Sequence, residues 1–298
     1  MDARAVYNLP SFAKINLGLR VLGYRPDGYH EIETTLQSID LHDEIEFQFE
    51  PAKDLEIHIA TDNPEIPADE TNLIARAIRT WAKVHQTSAK IQVQLSKRIP
   101  TGSGLGGGSS NAAATLVALL KYTETKFTDE ELSRMAAEVG SDAPFFLVGG
   151  TARGTGRGEV IELLEDAPPK RVLLVHPEVR CSTTEVYKKL DELGLTGSTN
   201  SNNISRDQRP DSQREVVSQL ENDLEKVVFA LYPEIASIKK RLFELGASAA
   251  ALTGSGSTVY GLFESANDLE KAAQHFPGVT RTRFLDRADY ASRMGNWR

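Results

Sequence analysis

The residues best suited to chemistry lie in one glycine-rich run, residues 100–114. Five glycines fall within seven positions of this run: Gly102, Gly104, Gly106, Gly107 and Gly108. Glycine adopts positive φ without steric cost and lets backbone N–H groups approach an anion. Helix-forming residues follow, and Ser109 or Ser110 can cap a helix whose positive N-terminal end would face that anion. The run therefore predicts a cradle for a phosphate chain, with a flexible linker as the alternative.

The loop differs from two common nucleotide-binding motifs. No lysine follows its glycines, although the Walker A motif requires one. Residues 104–108 do not form G-x-G-x-x-G in register with an acidic residue about 20 positions further on, as a dinucleotide-binding turn would. The sequence therefore predicts neither of these two sites.

Two polar residues lie on a predicted strand near the N-terminus. Alternation over residues 11–22 predicts a strand with one apolar face, made of Ile15, Leu17, Leu19 and Val21. Lys14 and Asn16 share the opposite face. By itself this pattern fits a solvent-exposed face as well as a binding site.

Two ring-bearing residues, Tyr29 and His30, directly follow a predicted turn. Pro26-Asp27-Gly28 is typical of a turn. A tyrosine can stack on a base and a histidine can hydrogen-bond its edge. Such a pair also commonly fills surface or core positions, so the pattern leaves both interpretations open.

Asp142 lies in a turn between two predicted elements. Thr128 and Glu131 have the spacing of a capping box, which predicts a helix ending at Gly140. A strand over residues 145–148 is expected after the turn. A carboxylate here can be a local cap or a reactive group.

The remaining elements must position these residues. We expect an antiparallel hairpin over 44–49 and 55–60, a helix over 73–84 with Asn72 near its cap, a strand over 90–96 and a helix over 109–121. Residues 150–158 predict a glycine-rich link. The rest of the chain is predicted to begin with a central strand over 171–176 and a helix that Ser182 begins and that contains Tyr187. After them we expect a polar loop over 194–213, helices over 214–230 and 233–245, a strand–turn–strand over 249–263, a helix over 267–275 and a strand over 278–284.

Three of these segments resemble signatures of the GHMP kinase superfamily, which includes galactokinase, homoserine kinase and mevalonate kinase. They are residues 13–19, 100–114 and 249–263. The resemblance implies an α+β fold of two domains with the active site in the cleft between them. It also implies an N-terminal ATP-binding domain over residues 1–157 and a C-terminal domain over residues 158–298.

The resemblance further implies an ATP-dependent phosphotransferase that acts on an alcohol and uses Mg²⁺. Its catalytic residues would be Asp142 and Lys14, and the metal ligands stay unknown. Its ATP-binding residues would be Asn72, Pro100, Gly102, Gly104, Leu105, Gly106, Gly107, Gly108, Ser109 and Ser110.

Residues 25–30, Arg-x-Asp-Gly-Tyr-His, resemble the branch whose acceptor is a cytidine diphosphate-linked methylerythritol. That acceptor would be bound by Asn16, Tyr29, His30 and Tyr187. Two alternatives remain. One is a kinase of the homoserine or mevalonate type, whose substrates lack a base. The other is a nucleotide-binding protein without catalysis.

Composition narrows the class of protein. The 298 residues have a net charge of −8, which argues against broad nucleic-acid binding, and 40% hydrophobic residues are enough for a substantial core. Cys181 is the only cysteine, which excludes an internal disulfide and suits a reducing compartment. No signal peptide or membrane span is recognisable. We therefore expect a soluble cytoplasmic protein that binds small molecules rather than nucleic acid or membranes.

Overall fold

The computed structural model describes residues 4–85, 88–196 and 220–297, and within them it has an α+β fold built on two sheets. The described residues form the strands β1 (Ala5–Tyr24), β2 (His30–Pro51), β3 (Glu56–Thr61), β4 (Ala89–Ser96), β5 (Thr151–Thr155), β6 (Val160–Leu163), β7 (Arg171–Val175), β8 (Ala249–Leu252), β9 (Val259–Phe263) and β10 (Val279–Arg283). They also form the α-helices α1 (Leu73–His85), α2 (Gly107–Thr123), α3 (Asp129–Val139), α4 (Thr183–Glu192), α5 (Glu225–Leu231), α6 (Pro233–Glu244), α7 (Ala266–Ala273) and α8 (Arg287–Arg293).

The first sheet corrects the predicted hairpin over 44–49 and 55–60. In its order β3-β4-β2-β5-β6, with β1 also paired to β2, strand β4 lies between the two expected partners. Strand β3 runs parallel to β4, and β4 pairs antiparallel with β2. Strand β4 lies between β2 and β3 because Ile91, Val93 and Leu95 are buried there, whereas β3 alternates between exposed and half-buried residues.

The second sheet has the order β10-β7-β9-β8, which confirms that β7 is an internal strand. An apolar layer lies between the two sheets. Strand β1 contributes Ala13, Ile15 and Leu17 to it, and the second sheet contributes Val172, Leu174, Tyr260 and Leu262. Ile15 and Leu17 of the predicted apolar face are therefore buried between the sheets, and Leu19 and Val21 are buried in a neighbouring apolar cluster. Lys14 and Asn16 face the other way.

The N-caps of three helices test the helix starts predicted from the sequence. Thr128 and Glu131 form the predicted capping box of α3, and Ser182 caps α4 as predicted. The predicted cap of α2 is wrong: its N-cap is Gly106 at φ 72°, with no side-chain cap, and Ser109 and Ser110 lie inside the first turn. The glycine loop leads directly into α2 without a side-chain cap, so the first N–H groups of the helix stay available to a ligand.

Two further segments differ from prediction. Residues Phe145–Leu147 form a short 3₁₀ helix rather than a strand, and all three side chains are buried, which an alternating strand would not allow. Residues 150–158 contribute β5, which pairs with β2 and β6 in the first sheet. The domain boundary at 157/158 stays a prediction.

In the second half of the chain, α6 begins at Pro233, and β8, β9, α7 and β10 lie near the predicted ranges. Helix α8 was not predicted. Most of the expected polar loop over 194–213 and the start of the helix over 214–230 lie outside the described residues. None of the helices in the described ranges is long and apolar enough to cross a membrane.

His176, directly after β7, links neighbouring strands of the second sheet. Its ring nitrogens lie 3.0 Å from Thr258 Oγ1 and 3.2 Å from Thr280 Oγ1. Burial lowers the pKa of His176 to about 4. The unfolded chain therefore binds more protons between pH 6.5 and 4, and stability is lost as the pH falls through this window.

We expect His176 to cost the folded state about 2 kcal/mol between pH 7 and pH 4.5. Urea unfolding at both pH values measures this loss. His176→Gln removes the titrating group, so the variant should lose correspondingly less stability over the same interval. An equal loss in both proteins would contradict the assignment.

Candidate active site

A cavity of about 660 Å³ opens where the three signature segments meet. It is lined by nine of the sixteen residues predicted to form the site: Lys14, Asn16, Tyr29, His30, Gly104, Gly106, Ser109, Asp142 and Tyr187. The other seven do not line it: Asn72, Pro100, Gly102, Leu105, Gly107, Gly108 and Ser110. The fold thus gathers residues that lie more than 170 positions apart in the chain.

Lys14 and Asp142 form an ion pair at the wall of this cavity. Lys14 Nζ lies 3.4 Å from Asp142 Oδ2, and the lysine side chain is 4% exposed while the aspartate is 32% exposed. The lysine is therefore held inside the protein, and the carboxylate is open to a ligand. An aspartate that acted only as a helix cap would need no buried cation beside it.

Asn16 fixes the position of Lys14. Lys14 Nζ donates to Asn16 Oδ1 at 2.7 Å, and Asn16 Nδ2 donates to Thr34 Oγ1 at 2.7 Å. Thr253 Oγ1 lies 3.2 Å from Asn16 Oδ1 and 3.1 Å from the carbonyl oxygen of Gly104. Asn16 thereby connects the lysine to both glycine-containing segments.

The glycine loop is packed tightly, which excludes the linker alternative. At Gly104, which has φ 78°, an added Cβ would lie 2.1 Å from the carbonyl oxygen of Thr253. At Gly106 it would lie 2.8 Å from Phe146 Cζ and 3.1 Å from Lys14 Cγ. Glycine is needed here because other backbone and side-chain atoms fill the space where a side chain would begin.

Both ends of the loop are tied to Asp43, a buried carboxylate that the sequence analysis missed. Its Oδ1 accepts from the N–H groups of Arg98 and Ile99, each at 2.8 Å, just before the loop. Its Oδ2 accepts from Asn111 Nδ2 at 2.9 Å, in the helix after the loop, and from Lys97 Nζ. Burial lowers the pKa of Lys97, and Asp43 partly offsets this effect.

A signal for Asp43 exists in the sequence. It lies two positions before Ile45, on the same face of β2 as the buried side chains of Ile45, Phe47 and Phe49. A carboxylate on an apolar strand face is unusual enough to indicate a dedicated set of hydrogen-bond donors. Ser110 joins the same buried region, since its Oγ accepts from Ser11 Oγ at 2.8 Å.

The same cavity is also lined by aromatic rings around His30. His30 Nε2 lies 2.8 Å from Asp191 Oδ1, and the ring of Tyr187 lies 4.7 Å from the His30 ring at 31°. Burial, followed by the charge of Asp142, raises the pKa of Tyr187. Asp191 was not predicted from the sequence, although its position one helical turn after Tyr187 on α4 was an available signal.

Tyr29 lies nearer the surface than His30. It is 53% exposed, and the guanidinium carbon of Arg157 lies 4.8 Å from its ring centroid. One face of the ring is therefore covered by a cation. Arg157 was also missed by the sequence analysis.

Asn72 is the N-cap of α1, as its predicted position near the start of this helix indicated. Its Oδ1 accepts from the N–H of Ile74 at 2.9 Å, and its Nδ2 donates to the carbonyl oxygen of Pro67 at 2.7 Å. Both ends of the amide are occupied within the protein. A direct contact between Asn72 and ATP stays a prediction.

Comparison with known proteins shows which family this protein belongs to. The family profile of the GHMP kinases N terminal domain matches residues 72–150, and that of the GHMP kinases C terminal domain matches residues 206–279. Together they span slightly more than half of the chain. This protein belongs to the GHMP kinases.

Relatives of high similarity narrow the comparison within the GHMP kinases. The 4-diphosphocytidyl-2-C-methyl-D-erythritol kinase of Pelotomaculum thermopropionicum is 42% identical over 270 residues, which cover 91% of this chain and 92% of the relative. A crystal structure of 4-(cytidine 5'-diphospho)-2C-methyl-D-erythritol kinase superposes with a TM-score of 0.73 at 30% identity, covering 93% of this chain and 99% of that one.

A more distant structure shares the fold alone. The mevalonate kinase of L. major, in complex with R-mevalonate, has a TM-score of 0.73 at 15% identity and covers 96% of this chain and 98% of its own. The GHMP kinase fold is therefore common to enzymes with different acceptors. The residues of the site, and not the fold, determine which acceptor is bound.

Proposed function

We propose that this protein transfers the γ-phosphate of ATP to the 2-hydroxyl of 4-diphosphocytidyl-2-C-methyl-D-erythritol, a step of the non-mevalonate route to isoprenoid precursors. The observation that carries this proposal is the layout of one cavity. The same cavity is lined by the Lys14–Asp142 ion pair and by the His30–Tyr187 ring pair. An acceptor that carries both a reactive hydroxyl and a base fits this combination.

The reaction requires an alcohol to lose its proton as phosphorus accepts the oxygen. Asp142 is the general base, because its carboxylate is open to the cavity. Lys14 keeps that carboxylate oriented and stabilises charge on the attacking oxygen. A carboxylate is a weak base toward an alcohol, so holding the hydroxyl in line with the γ-phosphate supplies much of the rate.

The phosphates of ATP are assigned to the glycine loop and the N-terminus of α2. Their proposed contacts are the residues named from the sequence, and Gly106, Gly107, Gly108 and Ser109 are at least partly exposed there. The helix N-terminus offers N–H groups and a favourable dipole to a phosphate. This arrangement replaces the lysine that a Walker A loop would use.

Mg²⁺ fits the donor set of this loop. Within the described ranges no group of three or more His, Cys, Asp or Glu side chains could hold a metal by itself. Mg²⁺ is commonly held by one or two protein oxygens together with substrate phosphates and water. Ser109 lines the cavity, so its hydroxyl would be such a ligand, whereas that of Ser110 is buried against Ser11. When bound, the ion neutralises charge on the phosphates.

Two alternatives are weaker. Homoserine and mevalonate have no base, so they leave the ring pair His30–Tyr187 without a role. A protein without catalysis would have no reason to keep a buried lysine 3.4 Å from a half-exposed aspartate. A cytoplasmic location remains a prediction from the sequence.

A phosphotransfer assay with a panel of acceptors tests the function. The purified protein, ATP and Mg²⁺ are incubated with the cytidyl acceptor, homoserine or mevalonate, and ADP release is measured. We expect turnover of the cytidyl compound alone. Preferred turnover of homoserine or mevalonate would overturn the proposal.

Tyr29→Ala tests recognition of the base. The exposed face of the Tyr29 ring is available to cytosine, and a base–aromatic stack contributes about 1–3 kcal/mol. The KM for the acceptor should rise about 5- to 150-fold, with the KM for ATP unchanged. Tyr29→Phe keeps the ring and should stay close to wild type. Loss of ATP affinity with an unaffected acceptor would instead place this segment at the adenine.

A further inference from the structure

The proposed acceptor raises a question of charge that the residues assigned so far do not answer. Its diphosphate lies between the base and the reacting hydroxyl, so it carries negative charge through the middle of the cavity. Lys14 is already engaged by Asp142 and Asn16. A diphosphate that is partly removed from water requires another cation, and the planar guanidinium of arginine suits phosphate oxygens especially well.

Arg157 adjoins residues proposed for both parts of the acceptor. Its guanidinium carbon is 4.8 Å from the centroid of the Tyr29 ring, which is proposed to stack on the base. The next residue, Gly158, has its Cβ position 3.6 Å from Asp142 Oδ1, the proposed general base. The diphosphate joins the base to the part that reacts, so a residue next to both Tyr29 and Gly158 is placed to contact it.

The backbone holds Arg157 in this place. It occupies a tight turn between β5 and β6, where Gly156 and Gly158 have φ values of 73° and 107° and Gly158 N donates to Thr155 O at 3.0 Å. Ile32 N donates to the carbonyl oxygen of Gly156 at 2.8 Å, which ties the turn to β2 just after His30. The turn is therefore positioned by the strand that begins at His30.

The guanidinium has donors to spare. Its ion pair with Glu159 is made through Nε at 3.5 Å. Among the residues that the structure describes, neither terminal nitrogen of Arg157 hydrogen-bonds to the protein. Both are thus available for paired hydrogen bonds to phosphate oxygens without breaking an existing one.

We propose that Arg157 binds the diphosphate of the acceptor, so that it distinguishes a nucleoside diphosphate compound from an uncharged nucleoside. This inference rests on the proposed function and adds to it the residue that reads the charged part of the substrate. Lys188, which also lines the cavity, is the competing cation.

Calorimetric binding of cytidine and of CDP tests the proposal, with a non-hydrolysable ATP analogue present to occupy the ATP site. Wild type should bind CDP more tightly than cytidine. Arg157→Gln should lose about 10- to 100-fold in CDP affinity and keep its affinity for cytidine. Arg157→Lys should recover part of the loss, because it restores the charge without the planar fork.

Matched variants separate this role from others. Arg153→Gln, on β5 and paired with Glu162 outside the cavity, should leave both affinities unchanged. A parallel loss of cytidine and CDP affinity in Arg157→Gln would show that Arg157 acts only through Tyr29 and would overturn the proposal. A normal CDP affinity in Arg157→Gln, or a loss found only in Lys188→Gln, would overturn it as well.

The same experiment distinguishes failure of the inference from failure of the proposed function. If wild type binds neither cytidine nor CDP with the ATP site occupied, the acceptor assignment itself is wrong. If wild type binds both and phosphorylates the cytidyl acceptor while Arg157→Gln binds CDP normally, only the role of Arg157 is wrong.

Discussion

Asp142→Asn should lower kcat about 10²-fold or more while leaving ATP affinity close to that of wild type. Asparagine has nearly the same shape but cannot accept the proton of the hydroxyl. It also leaves Lys14, which is 4% exposed and 3.4 Å away, without its negative partner. Single-turnover kinetics with the cytidyl acceptor, together with calorimetric ATP binding, measure the two effects separately.

The control for this variant is Glu130→Gln, which removes an exposed carboxylate from the first turn of α3, outside the cavity. It should turn over like wild type. Thermal unfolding of Asp142→Asn shows whether the variant is folded. Turnover of folded Asp142→Asn within about threefold of wild type would mean that Asp142 only supports the turn before the 3₁₀ helix.

Gly104→Ala should raise the KM for ATP steeply and lower stability by about 2–4 kcal/mol, the range for overpacking combined with backbone strain. The new Cβ would lie 2.1 Å from the carbonyl oxygen of Thr253, which belongs to a separate segment of the chain. Because Thr253 also contacts Asn16, moving it disturbs the support of Lys14 as well. Steady-state kinetics and urea unfolding measure the two losses.

Gly102→Ala is the matched control. Gly102 also has positive φ, 65°, but its Cβ position meets no atom within 4 Å. This variant incurs the backbone strain alone, about 1 kcal/mol, and keeps the contact between the glycine segments. Gly102 is itself a predicted ATP contact, so the two variants are compared by stability: equal losses of stability in Gly102→Ala and Gly104→Ala would show that this contact is unimportant.

The sequence alone was sufficient for the elements whose signals are local. The capping box at Thr128, the cap at Ser182 and the internal strand β7 were predicted and are confirmed. So is the alternation that buries one face of β1 and sets Lys14 and Asn16 on the other. The family and the α+β fold were predicted from three separated motifs and are confirmed by comparison.

Pairing of strands was decided by the tertiary structure. Residues 44–49 and 55–60 alternate as neighbouring strands do, yet β4 separates them. Alternation reports which faces of a strand are buried, and it does not report which strand lies alongside. Strand β4 lies between β2 and β3 because one of its faces is fully buried, whereas β3 has no fully buried residue, and that comparison requires the whole sheet.

The roles of single side chains were divided in the same way. The sequence determined which residues have the right chemistry: a lysine, an aspartate, three rings and a run of glycines. Only the tertiary structure placed Asp191 on His30, Arg157 over Tyr29 and Asp43 at both ends of the loop. Each of these contacts, including those of Arg157 and Asp191, joins residues that lie 55 to 161 positions apart in the sequence. Sequence patterns describe neighbours within a few residues, whereas ion pairs and ring contacts depend on distances in space that only the packed chain sets.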